Sequence, residues 1–233
     1  MSTRIILTRH GQTDWGRENR FSGSSDIPLN ETGKFQAQAL GERLKNMQLV
    51  VKHNTPDEQE VVVGEGQELN KITAVYCSPL GRTVETAKIV ADLQKLPTKD
   101  IPEFRELNYG AWEGLRRDEI LSKYQNEWEI WSGDPAQNAP PHGETGIALL
   151  DRVRPAFERL IANHPDETIL IVAHKTVNRL LICSLLNIPL KSYRSAIWQN
   201  EACLNILNFV APDIVSLIRL NDTSHFERAS DLK

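Results

Sequence analysis

Cysteine is scarce in this sequence: Cys77, Cys183 and Cys203 are the only thiols among 233 residues. Their number is odd and no two have a CxxC spacing, so neither a disulfide framework nor a zinc site is suggested. They read as small, buried apolar residues. Long hydrophobic runs are missing too. The most apolar stretch, 180–186, falls far short of the roughly 20 residues that cross a bilayer. The N-terminal MSTRIILTRHG turns to charge after five apolar-leaning residues, too few for a signal-peptide core. A cytoplasmic protein without a membrane partner is expected. No basic run exists, and 27 Lys+Arg against 31 Asp+Glu leave a net charge of −4. That balance argues against nucleic acid as a partner, yet it permits a local basic pocket. DxD, a GxxxxGK[ST] loop and an Asp/His cluster at ligand spacing are absent, so no metal site is expected.

Hydrophobic residues at 40% and charged residues at 25% exclude a disordered or collagen-like chain. The length fits one large domain or two small ones. Five apolar runs, 4–8, 72–77, 168–173, 202–209 and 214–220, read as strands. Their continuous Val/Ile/Leu character suits a sheet covered on both faces. Helical patterns occupy 31–47, 79–96, 144–163 and 175–186. Ser78 is the expected N-cap of the second. Pro155 should kink or restart the third. Alternating strands and helices predict an α/β protein, a three-layer αβα sandwich with a mostly parallel central sheet. Segment 48–71 reads as an inserted loop or small hairpin, and its lone GEG is a weak nucleotide signal. Segment 131–144 reads as a surface loop over the sheet edge, and the tail after 221 as polar and frayed.

Chemistry-bearing residues cluster where the first and third predicted strands end, at His10 and His174. Open α/β sheets bind ligands beyond the carboxyl ends of their strands. In TRHGQT, Arg9 offers a guanidinium fork for an oxyanion and His10 an imidazole nitrogen. Gly11 allows close backbone approach. In SPLGRTVET, Arg82 falls in the first turn of a helix, where an anion is favoured. A cysteine-phosphatase loop needs five residues between Cys and Arg, and Cys77 and Arg82 enclose four. Glu106 precedes the aromatic, glycine-punctuated turn Tyr109–Gly114, and a carboxyl so placed is a candidate general acid. Singly, each signal reads equally well as a surface arginine, a capping histidine or a Glu106–Arg105 pair.

Taken in order, the segments resemble the histidine phosphatase superfamily, the phosphoglycerate-mutase-like proteins. The resemblance rests on RHG at 9–11, FSG at 21–23, PLNETG at 28–33, SPLGRTVETA at 78–87, RELNYGAWEG at 105–114, HGET at 142–145 and VAH at 172–174. It runs nearly the whole chain and implies one domain, 1–233. It implies His10 as the nucleophile that forms a phosphohistidine. Arg9, Arg82 and His174 would bind the phosphoryl oxygens, and Glu106 would be acid and then base. Ser22, Gly23 and Tyr109 would meet the substrate, with Trp15 and Phe21 also at the mouth. The implied activity is a metal-independent phosphomonoesterase of the phosphatase branch. It needs no cofactor and acts on a small phosphorylated metabolite, with self-association left open.

The alternative is a 2,3-bisphosphoglycerate-dependent mutase, for which that bisphosphate would be the cofactor. His174 follows Glu106 by 68 positions, without the longer insertion that the glycolytic mutases tend to carry there. Leu107 stands where they usually have a basic residue. Two departures, Gly16 for a common Asn and Lys175 for a common Gly, leave a non-catalytic phospho-ligand binder as a third reading.

Overall fold

The structure is a computed structural model describing residues 2–47, 51–54, 60–63, 71–211 and 214–226. In chain order its elements are β1 (Thr3–Arg9), α1 (Asp14–Arg17), α2 (Glu31–Lys45), β2 (Val51–Asn54), β3 (Glu60–Val63), β4 (Ile72–Cys77), α3 (Gly81–Gln94) and β5 (Thr98–Asp100). Then come α4 (Arg117–Lys123), α5 (Gln125–Gly133), α6 (Gly146–Asn163), β6 (Thr168–Ala173), α7 (Lys175–Leu185), α8 (Tyr193–Ala196), β7 (Leu204–Ala211) and β8 (Ile214–Asp222).

Among the described residues six strands form one sheet in the order β5-β4-β6-β1-β7-β8. The first four are mutually parallel, and β7 and β8 add an antiparallel edge. Side chains alternate across the central strands, as strand geometry requires. Ile5 and Leu7 of β1, with Ile169 and Ile171 of β6, join Val153 and Phe157 of α6 and Val177 and Leu181 of α7. Ile6, Leu170 and Val172 point the other way, onto Leu40 and Leu44 of α2 and Ala87 and Val90 of α3. Two cores on opposite faces of one sheet make the expected αβα sandwich. A third cluster, Trp112, Ile120, Trp128 and Trp131, stands apart with α4 and α5.

Several local expectations need correcting. β5, with only the polar triplet TKD, carries no strand signal and forms by pairing with β4. Helix α3 starts at Gly81 rather than after Ser78, and its first amide donates to the distant Asp26 carboxylate at 2.7 Å. Helix α6 runs through Pro155 without restarting. Pro155 and Asp151, whose carbonyl it leaves without an amide, both lie on the exposed face, where water can serve that carbonyl. Trp131, expected in a loop, belongs to α5 and is buried. Past 221 the chain is packed: β8 ends at Asp222, Thr223 is buried and Phe226 rests on the second core. Residues 227–233, and the Gly64–Gly66 motif, lie outside the described residues. Within the 48–71 segment, β2 and β3 pair as an antiparallel hairpin. Among the described residues no helix is long and apolar enough to cross a membrane.

Candidate active site

Strand register assembles the site. Arg9, the last residue of β1, pairs with Ala173, the last of β6. The next residues, His10 and His174, therefore leave the sheet side by side, with ring centroids 5.4 Å apart. On the other flank of β6, Cys77 pairs with Val172, and Ser78 follows it. The Ser78 hydroxyl meets His174 Nε2 at 2.8 Å, which is why it does not cap α3.

His10 Nδ1 lies 2.7 Å from the Gly11 carbonyl. A carbonyl only accepts, so Nδ1 carries the proton and Nε2 keeps the lone pair. Burial, then the charges of Arg82 and Arg9, hold His10 well below the usual histidine range and keep it neutral. His174 is fully buried and held down by the same causes. Among the described residues its Nδ1 has no hydrogen-bond partner. Gly11 sits against the backbone of Gly33 at the start of α2, and a Cβ there would strike the Gly33 carbonyl.

Arg82 is fully buried, and it donates to the Ser25 and Gly23 carbonyls at 2.7 and 2.9 Å. Arg9 donates to the Gln199 carbonyl and pairs with Glu201, each at 3.0 Å. The Glu106 carboxylate accepts from the Leu107 amide at 2.8 Å and the Thr176 amide at 3.0 Å. Burial nonetheless raises its pKa, against those two bonds and the charges of Arg82 and Arg9. From α6, Arg152 donates to the carbonyls of Glu103, Arg105 and Glu106 and pairs with Glu144 at 2.6 Å. Those bonds clamp the Glu106 turn. The HGET segment serves the same brace: Glu144 accepts from the Asn108 amide, and Thr145 caps α6.

Above these groups opens a cleft of about 170 Å³. Arg9, His10, Glu106, Phe21, Ser22 and Tyr109 reach its lining. Arg82 and His174 lie buried beside it, close enough for their charges to couple to His10 or to each other. Tyr109 is held by its hydroxyl, 2.9 Å from Thr176 Oγ1, and by Phe21 against its ring. Gly23 stands off the lining and serves as a structural pin. Its amide, with those of Ser24 and Ser25, donates to Glu113, and a Cβ would run into the Leu107 carbonyl and the Glu113 carboxylate. Trp15, expected at the mouth, packs over Gly114 instead. The two departures, Gly16 and Lys175, both line the cleft. Cys77 is buried, bonded to Asp100, and its thiol is pushed up by burial, which removes it as a nucleophile.

The family model described as histidine phosphatase superfamily (branch 1) matches residues 5–56 and 58–223. The chain belongs to that superfamily. It is an enzyme of the phosphatase type. Phosphoserine phosphatase 1 of Hydrogenobacter thermophilus is 27% identical over 222 residues, covering 95% of this chain and 93% of that protein. A probable phosphoglycerate mutase, GpmB of Erwinia tasmaniensis, is 28% identical, covering 96% and 94%. The solved structure of YhfR from Bacillus stearothermophilus superposes with a TM-score of 0.80 at 29% identity, covering 96% of this chain and 98% of that one.

Sequence reasoning missed several residues of this histidine phosphatase site. In the sequence Ser78 reads as a helix cap, and nothing there marks Glu113 or Arg152. Arg179 and Arg194 also line the cleft. Arg179 had a usable signal, lying one helical turn beyond Lys175 on a helix that starts at the site. Arg194 had none, because a four-residue helix far along the chain delivers it.

Proposed function

We propose that this chain is a phosphomonoesterase working through a phosphohistidine on His10, without a metal, on a small phosphorylated metabolite. One observation carries the reading: a neutral imidazole, fixed by Gly11 with its Nε2 lone pair free, lies in a cleft shared with Arg9 and a protonation-prone Glu106. Nε2 attacks phosphorus as the P–O ester bond breaks. Glu106 gives its proton to the departing oxygen. Arg9, Arg82 and His174 hold the equatorial oxygens, where charge accumulates in phosphoryl transfer. Ser78, donating its hydroxyl hydrogen to His174 Nε2, leaves the unpartnered Nδ1 as a donor toward phosphate. In the second half, the Glu106 carboxylate takes a proton from water, the water oxygen bonds to phosphorus, and the N–P electron pair returns to Nε2.

The mutase alternative needs a phosphohistidine that outlives its encounter with water. Incubation with 3-phosphoglycerate and catalytic 2,3-bisphosphoglycerate in EDTA separates the readings. Inorganic phosphate is the expected product. Rapid 2-phosphoglycerate with little free phosphate would establish the mutase, and loss of activity restored by Mg²⁺ would refute metal independence.

A further inference from the structure

The phosphoryl group is met by the cations Arg9 and Arg82 and by the neutral imidazoles of His10 and His174. The cleft lining holds four more cations that this chemistry leaves unused. Lys175 and Arg179 face it from α7, one turn apart, and Arg194 faces it from α8. Arg179 is only 6% exposed, and its Nε has no hydrogen-bond partner among the described residues. Lys175 and Arg179 each lie 5.8 Å from the ring centre of Trp198, and Arg194 lies 4.2 Å from that of Trp131. Those contacts supply aromatic faces, and among the described residues none of the three makes a salt bridge; Glu201, the carboxylate within reach of Lys175, is paired with Arg9 at 3.0 Å. Among the described residues lining the cleft, Glu106 is the single carboxylate, and its oxygens already accept from Leu107 and Thr176. Arg20, a fourth cation on the lining, is by contrast paired with Glu18 and Glu119. Burial chiefly, then the charges of Arg9 and Arg179 against that of Glu201, bring Lys175 down to about 8.

Desolvated cations cost free energy unless an anion meets them. We infer that Lys175, Arg179 and Arg194 form a second anion subsite, and that the substrate is a small phosphomonoester carrying a carboxylate. The planar fork of Arg179 suits a two-oxygen acid. This rests on the phosphatase reading above and adds a substrate class to it.

Two matched pairs test it: 3-phosphoglycerate against glycerol 3-phosphate, and O-phosphoserine against phosphoethanolamine. Each pair differs in the carboxylate, and p-nitrophenyl phosphate serves as the common reference. For the wild type, kcat/KM should favour the acid by about tenfold or more in at least one pair, mostly through KM. Arg179→Gln and Lys175→Gln should each shrink that ratio about tenfold. A variant that folds poorly loses both members of a pair alike and leaves the ratio intact, so the ratio reads the subsite alone. Turnover of p-nitrophenyl phosphate with no acid preference in either pair, or a preference that survives both substitutions, would overturn the subsite and spare the phosphatase. Failure to turn over any of the five compounds would overturn both.

Discussion

The floor and the rim of the cleft are built on opposite terms. On the floor, Glu106 accepts two amides, Arg82 donates to two carbonyls, and His10 is locked to Gly11. His10 is held by a strand end, Arg82 by the first turn of α3, and Glu106 by the turn that Arg152 clamps. On the rim, Lys175, Arg179 and Arg194 rest on indole faces and make no salt bridge among the described residues. A fixed floor suits a reaction common to many phosphate esters. A loosely satisfied rim suits selection among them.

The steepest contrast comes from His10→Ala. It should lower kcat for every phosphate ester by at least about a thousandfold, because it removes the nucleophile itself. Near-normal turnover would erase the distinction between floor and rim. Glu106→Gln comes next. On an alkyl phosphate the loss should reach about 100- to 10,000-fold, while p-nitrophenyl phosphate, whose leaving group needs little protonation, should lose far less. Equal losses would mean that Glu106 only shapes the cleft.

Arg152→Lys sharpens the boundary of the floor from outside it. Arg152 touches no reacting atom, but it clamps the carbonyls around Glu106. A lysine keeps the charge and loses the fork, so a loss of about tenfold is expected, again greater for the alkyl ester. A loss independent of leaving group would assign Arg152 to stability alone.

The smallest effect is on stability. His10 and His174 have folded pKa values depressed below the unfolded value of about 6.5. Their contribution is present above pH 6.5 and is lost as pH falls toward the folded values, at up to about 1.4 kcal/mol per pH unit for each. Glu106, raised in the folded state, acts oppositely: its contribution is present below about pH 4.3 and lost as pH rises through its folded pKa. Two histidines outweigh one carboxyl, so urea midpoints should fall between pH 6.5 and 5. The fall should shrink by about half in His10→Ala. An unchanged slope would deny that His10 is buried and neutral.

The floor was legible because its residues follow apolar strands directly. His10 and His174 each stand one residue past an apolar strand, and parallel register does the rest. Glu106 was legible from its aromatic, glycine-rich surroundings. The rim was not, since its side chains come from α7 and α8 and meet at helical and tertiary distances. Strand β5 was invisible because pairing with β4, rather than the propensity of TKD, makes it a strand. Ser78 misled because a good capping residue can be claimed by a stronger partner across the sheet. Gly23 stands off the cleft lining, and its lack of a side chain answers to Glu113 and Leu107.

The most direct test of the floor's chemistry is to trap the phosphoenzyme. A phosphate-labelled substrate is mixed with the protein, quenched within one turnover and digested under alkaline conditions. Label should reside on the peptide containing His10, stable in base and released in acid, and should be missing from His10→Ala. Label on another residue, or hydrolysis at full rate with no acid-labile, base-stable adduct at any quench time, would contradict the phosphohistidine mechanism.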